Sequence, residues 1–124
     1  MYRRIALACA IVAGLAAPAA HAHHSYAMFD RSKTVTLNGV VKQFQWTNPH
    51  SWIQLTVPGE AGATDEWSIE MGSPFELLRV GWTTTTVKVG EKVSIQIHPV
   101  KDGTKGGGFV SGTDADGHAL GGGK

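Results

Sequence analysis

Apolar and polar residues alternate along much of the chain, and this pattern constrains the fold more than any other feature. A large apolar residue occupies every second position in Ser51–Val57, again in Glu66–Met71, and again in Lys92–His98. Successive side chains of a β-strand point to opposite faces of a sheet, so a period of two predicts strands with one buried face. The chain should therefore be mainly β.

The first predicted strand is longer than the others. Apolar residues before Gly39, such as Leu37, share one parity, and those after it, such as Phe44, share the other. A glycine at a change of phase is typical of a bulge or bend. We predict one long, bent strand over Lys33–Trp46, with Gly39 at the bend.

One short helix and a weaker strand complete the predicted elements. Ser73 is a candidate N-cap, Pro74 suits the first helical position, and Glu76 three residues after Ser73 completes a capping box. Gly81 suits the left-handed residue that ends a helix. A fifth strand is predicted over Gly107–Gly112.

The order of the predicted elements is three strands, a helix and two strands. This order, with a long bent first strand, is typical of a small OB-like, five-stranded Greek-key barrel with one short helix between strands three and four. Another small open β-sandwich or an α+β sheet is the alternative. We expect a mainly β fold of the OB type.

The N terminus has the form of a cleavable signal peptide. Arg3 and Arg4 precede an apolar run over Ile5–Ala17, and Ala20-His21-Ala22 supplies the small residues of a cleavage site. The apolar run is shorter than the roughly 20 residues of a membrane-spanning helix. We predict a signal peptide at residues 1–22 and periplasmic export. Residues 23–124 then form a single domain with a flexible Gly-rich C-terminal tail.

Processing changes the charge and removes the cysteine. Loss of Arg3 and Arg4 lowers the Lys plus Arg count from 11 to 9 against 10 Asp plus Glu, which gives a net charge of −1. Without an excess of positive charge we predict no binding of nucleic acid. Cys9 leaves with the signal, so about 102 residues must fold on their core alone, enough for one domain. We expect no membrane span after processing.

Cleavage after Ala22 makes His23 the first residue, followed by His24. A terminal histidine offers its α-amine and its ring nitrogen to the same metal, and an α-amine with a pKa of about 7.7–8.0 loses its proton readily on metal binding. Nitrogen-rich planar ligation favours Cu(II). Two histidines at a cleavage site are otherwise a polar start to the chain, and cleavage two residues earlier would create a different chelating terminus.

His50 is the predicted further ligand. Pro49 stiffens the turn between the first two strands, and Trp52 is placed to shield the imidazole. Glu70 and His98 stand at the ends of strands three and four on the outward parity, so they would join the site if those strand ends converge. The alternative interpretation is a turn histidine bonded to backbone, with solvated residues on the two strand faces.

Other candidate motifs are weaker. Asp114-Ala115-Asp116-Gly117 is similar to the start of a calcium loop but lacks the distal glutamate, so we predict a turn there and no role for His118. No nucleophile elbow, paired carboxylates or cofactor fingerprint occurs. The sequence therefore does not favour an enzyme, and nothing in it identifies the substrate surface of a copper oxidase or oxygenase.

Several stretches of the mature chain together resemble one family of small exported bacterial proteins. They are His23-His24-Ser25 with Phe29-Asp30, Thr47-Asn48-Pro49-His50-Ser51-Trp52, and Glu70-Met71-Gly72-Ser73-Pro74 with Leu77-Leu78-Arg79-Val80-Gly81-Trp82. The chain is similar to domain-of-unknown-function family 6152. The resemblance implies a signal-bearing, single-domain periplasmic protein and supplies no catalytic residue.

These observations lead to one expected function and one alternative. We expect a periplasmic protein that binds copper through its processed N terminus. The alternative is a metal-free module that uses the face around Trp52 to bind a small ligand or a periplasmic protein. The residues assigned to the metal site are His23, His24 and His50 as ligands, with Glu70, His98 and Trp52 around them.

Overall fold

Five strands and one α-helix make up residues 26–121, the part of the chain that the computed structural model describes. Single 3-10 turns at Tyr26–Met28 and Glu60–Gly62 accompany them. The predicted mainly β fold, with one helix between the third and fourth strands, is confirmed. The elements in chain order are β1 (Val35–Gln45), β2 (Trp52–Pro58), β3 (Thr64–Glu70), α1 (Pro74–Arg79), β4 (Lys92–Pro99) and β5 (Gly106–Asp114).

The strands close into a barrel in the order β1-β2-β3-β5-β4. Every pairing is antiparallel except that of β3 with β5. β1 pairs with β4 over Val35–Val40 and with β2 over Val40–Gln45, so the two halves of one long strand serve two neighbours. This exchange of partners along β1 helps to close the barrel, and the predicted OB-like architecture is confirmed.

Gly39 and the change of phase in β1 are at separate places. Gly39 is on the inward side of the strand, where a Cβ would collide with the carbonyl oxygen of Thr56 and stand 2.9 Å from Cγ of Leu55. The register shifts between Val41 and Gln43 instead. The prediction that the phase changes at Gly39 is therefore wrong, because the irregularity that changes the phase lies between Val41 and Gln43. Gly39 instead allows the close approach of β2.

The core fills the barrel with the inward side chains of the predicted strands. Those with no exposed surface are Ile53, Leu55, Ile69, Ile95 and Ile97. Trp82 closes the barrel near α1, its ring 6.0 Å from that of Phe44 and 5.3 Å from that of Phe109. Within residues 26–121, no helix has the length and apolar character to cross a membrane.

The helix begins with the predicted capping box. The Ser73 backbone N–H donates to the Glu76 carboxylate at 2.8 Å, and the Glu76 backbone N–H donates to the Ser73 hydroxyl at 3.3 Å. Leu77 is buried, but Phe75 and Leu78 are 69% and 57% exposed. A helix this short therefore presents one apolar residue to the barrel.

Candidate functional site

A buried carboxylate marks the end of the barrel where β3 finishes. Glu70 has the outward parity of β3, which predicts exposure, yet the residue is only 5% exposed. Removing a charged group from water is costly unless the group gains partners. The residues around Glu70 therefore form the candidate functional site.

His50 is the partner of this carboxylate. Its Nδ1 lies 3.2 Å from Oε1 of Glu70 and 3.0 Å from the carbonyl oxygen of Met71. A carbonyl and a carboxylate only accept hydrogen bonds, so Nδ1 carries the proton. The neutral ring then has its lone pair on Nε2. A carboxylate that fixes a histidine in this way is the usual support of a metal-binding or proton-transferring imidazole.

The turn before β2 holds His50 against the end of β3. The Thr47 hydroxyl donates to the His50 carbonyl at 2.9 Å. The Ser51 N–H donates to the Gly72 carbonyl, and the Met71 N–H donates to the Ser51 carbonyl, each at 2.9 Å. These bonds continue the β2–β3 ladder beyond both strands, and they bring His50 beside Glu70.

His98, at the end of β4, is fixed in the same tautomer. Its Nδ1 lies 2.7 Å from the Lys33 carbonyl oxygen, so that nitrogen donates and Nε2 is the acceptor. Asp30 shapes the turn before Lys33, since its carboxylate accepts the Ser32 hydroxyl at 2.6 Å. That side-chain bond from Ser32 is the main reason that the pKa of Asp30 lies below its usual range.

Glu70 and His98 line one cleft of about 460 Å³. Apolar side chains form most of its walls, among them Phe29, Leu77 and Phe109, and Arg31 also lines it. This volume and this mixture, an apolar wall with a few polar groups, are typical of small-molecule sites.

The segment that precedes β1 forms one wall of this cleft. Phe29 is 6% exposed and pairs as an isolated bridge with Val100, and the Asp30 N–H donates to the Pro99 carbonyl at 2.8 Å. The Phe29 ring lies over Gly108, where a Cβ would stand 3.0 Å from Cδ2 of the ring. The absence of a side chain at Gly108 therefore makes room for Phe29.

The predicted site residues fall into two groups. His23 and His24 lie outside the described residues. His50 contacts Glu70, and His98 shares the cleft with Glu70, so the convergence of the ends of β3 and β4 is found. Trp52 is half-buried and stands opposite Glu70 in the β2–β3 register.

A second cluster lies in the turn after β5. Within residues 26–121, Asp114, Asp116 and His118 are the metal-ligating side chains that bring three ligand atoms within 4.8 Å of one another, and His50, Glu70 and His98 do not form such a group.

That turn accounts for the second cluster without a metal. The Asp114 carboxylate accepts the backbone N–H groups of Asp116 and His118, both at 2.9 Å. The bond from His118 is the main reason that the pKa of Asp114 lies below its usual range. The predicted turn is confirmed.

Sequence reasoning assigned no role to Phe29, Arg31 or Phe109. Phe29 precedes an Asp-x-Ser turn, which is a local signal for a chain reversal and not for a ligand site. The strand predicted over Gly107–Gly112 is found as the longer β5, whose first residues, Gly106-Gly107-Gly108, pair in register with β3. The lack of side chains allows close packing here, since a Cβ at Gly107 would stand 2.5 Å from the His98 carbonyl oxygen.

Comparisons with known proteins give a family and a fold. Residues 10–109 match a family of unknown function, DUF6152. No curated protein matches the chain. A crystal structure of the mitochondrial single-stranded DNA binding protein Rim1 from S. cerevisiae is similar, with a TM-score of 0.52 and 13% identity over 67% of this chain and 93% of that one. At this identity the likeness shows the fold alone.

Proposed function

The chain belongs to the DUF6152 family of unknown function, and from that premise we propose that it is an exported protein that binds copper through its processed N terminus and His50. The observation that most supports this is the fixed tautomer of His50. Its Nδ1 is directed to the Met71 carbonyl and the Glu70 carboxylate, so a metal would be bound through Nε2. Carboxylate support of this kind orients an imidazole and raises its basicity as a ligand.

The proposed ligands are the α-amine and imidazole of His23 with Nε2 of His50, and His24 is the reserve ligand. Three nitrogen donors suit the tetragonal geometry of Cu(II). Glu70 would hold the His50 ring at Nδ1, and its negative charge would act on the bound cation through the imidazole. His98 lines the same cleft as Glu70, so in this proposal it stands near the metal site and is not a direct ligand.

The position of Phe29 supports this arrangement. Phe29 is packed into the wall of the cleft that Glu70 lines. Phe29 is six positions after His23, and an extended chain of that length spans at most about 22 Å. A terminus that begins at His23 would therefore start within reach of this end of the barrel.

Copper affinity of the exported protein tests the proposal, after intact-mass measurement shows that it begins at His23. We expect His50→Ala to weaken Cu(II) binding by about a hundredfold, because one nitrogen donor and its carboxylate support are lost. A Met added before His23 should be as damaging, since it moves the free amine off the chelate. Electron paramagnetic resonance would report the nitrogen ligands.

His118→Ala is the matched control, because His118 also pairs with a carboxylate, that of Asp114 at 3.3 Å. It should bind copper as the unmodified protein does. If His50→Ala binds copper normally and the added Met alone abolishes binding, the site is a free terminus. The metal-free module that uses the Trp52 face would then replace the metal proposal.

We propose no nucleic-acid role, although the structural neighbour is named as a single-stranded DNA binding protein. The processed chain carries a net charge of −1, whereas binding to a phosphate backbone depends on clustered Lys and Arg. A gel-shift titration with single-stranded DNA should show no complex at low salt, and a salt-sensitive complex would contradict this.

A further inference from the structure

The cleft beside Glu70 is much larger than a metal ion. Its volume of about 460 Å³ and its apolar walls, which include Phe29, Leu77 and Phe109, suit an organic molecule. We propose that this cleft is a second binding site, for a small organic ammonium compound whose apolar body lies against these walls. The inference goes beyond copper binding and does not depend on it.

The acceptor groups of the cleft favour an ammonium group. A carboxylate has about four lone-pair positions, and among residues 26–121 the partner of the Glu70 carboxylate is the His50 ring, at Oε1. Its other oxygen therefore retains capacity for a donor. His98 adds a second acceptor, because its Nδ1 proton is directed to the Lys33 carbonyl and Nε2 bears the lone pair of the neutral ring.

The charge of the cleft also favours a cationic ligand. Glu70 has a side chain that is 4% exposed, whereas Arg31, the cation of the lining, is exposed to solvent. Coulomb interactions are stronger where water is excluded, so the buried carboxylate has more influence on a ligand than the solvated guanidinium. A cation with several N–H donors would satisfy both Glu70 and His98.

The same geometry argues against a metal held only by His50 and the two cleft residues Glu70 and His98. The ligand atoms of His50, Glu70 and His98 do not come within 4.8 Å of one another as a set. An organic cation also fills apolar space that a metal ion leaves to water. The volume and the apolar walls of the cleft therefore favour the organic ligand.

The test uses the processed protein in buffer with a chelator, so that metal plays no part. Benzylamine, benzyl alcohol and benzoate share an aromatic body and differ in the charge of their polar group. In amide NMR titrations at neutral pH, we expect benzylamine to shift the signals of His98, Phe109 and Val110. It should bind at least about tenfold more tightly than benzoate, with benzyl alcohol between them.

Two substitutions on β3 distinguish the effect of the buried charge of Glu70 from the effect of removing any negative charge from that strand. Glu70→Gln keeps the shape of the side chain and should lower benzylamine affinity by about tenfold or more. Glu66→Gln is the matched control, because Glu66 is 61% exposed and pairs with Lys42 on the surface. It should leave affinity unchanged.

Val110→Trp provides a second route if Glu70→Gln does not fold. Val110 is 42% exposed at the rim, so a larger side chain there can obstruct the cleft without entering the core. This variant should lose benzylamine binding and keep the NMR spectrum of the folded barrel.

Four results would overturn the proposal. They are equal binding of benzylamine and benzoate, equal losses in the two glutamate variants, the absence of shifts at the cleft with any probe, and shifts confined to the apolar cleft of about 530 Å³ lined by Asn38, Thr56 and Ser94. None of these affects the copper proposal, which is tested without the organic probes. Failure of copper binding likewise leaves the benzylamine result intact, since that titration contains a chelator.

Discussion

Glu70 and His50 show how one residue pair combines a buried charge with a fixed ring. The carboxylate stands opposite Trp52 on the outer side of the barrel, where a strand residue is usually solvated. The His50 ring and the cleft lining cover it instead. A buried carboxylate costs stability, so its position is better explained by its contact with the His50 ring than by any contribution to folding.

At this scale we predict that Glu70→Gln weakens copper binding by about ten- to a hundredfold. Glutamine can still accept the His50 Nδ1 proton, so the ring keeps its orientation, but the negative charge that raises the basicity of the imidazole is lost. Isothermal titration with Cu(II) measures the change. Glu66→Gln should match the unmodified protein, and an unchanged affinity in Glu70→Gln would remove Glu70 from the metal site.

Among the elements, α1 begins with a hydrogen bond to a carboxylate, and this bond depends on pH. The Ser73 backbone N–H donates to the Glu76 carboxylate, and this bond is the main reason that the pKa of Glu76 lies below its usual range. A carboxyl group whose folded pKa is depressed contributes stability above its unfolded pKa, and loses that contribution as the pH falls through the folded value. The start of α1 should therefore be sensitive to acid.

We expect the free energy of unfolding of Glu76→Gln to fall below that of the unmodified protein at neutral pH. The difference should shrink as the pH drops from about 4.3, the ordinary pKa of glutamate, through the lower folded value. Urea unfolding at a series of pH values measures this. Glu60→Gln, at an exposed turn residue, removes the same charge without breaking a capping bond and should show no such convergence.

At the scale of the whole molecule, stability depends on the closed barrel. Each strand supplies inward side chains to one core, and Trp82 adds its ring between those of Phe44 and Phe109. The described residues therefore share a single apolar centre. Damage at one inward position should lower the stability of the whole barrel.

Ile95→Ala is the test of this dependence. Ile95 has no exposed surface, and it pairs with Leu37 on one side and Gly112 on the other. The substitution should cost about 2–5 kcal/mol of unfolding free energy, from lost burial and the cavity left behind. Lys92→Ala, at an exposed position of the same strand, should cost far less. Equal small losses at both positions would contradict the inward assignment of β4.

The order of the strands and helix along the chain, the inward faces of the strands and the start of α1 could all be predicted from the sequence. Ile53, Ile69 and Ile95 lie on the faces that their parity indicates, because a period of two is a property of each strand by itself. The capping box of Ser73 and Glu76 likewise joins residues three apart, so its chemistry is complete within one turn.

Only the tertiary structure decided how the cleft is built. Glu70 is buried because the turn at His50 and the lining of the cleft come together around it, and local sequence specifies neither approach. The Phe29 ring occupies space over Gly108, 79 positions along the chain. The alternation of residues in a strand predicts which face is inward, but burial on the outward face depends on segments that pack there from other parts of the chain.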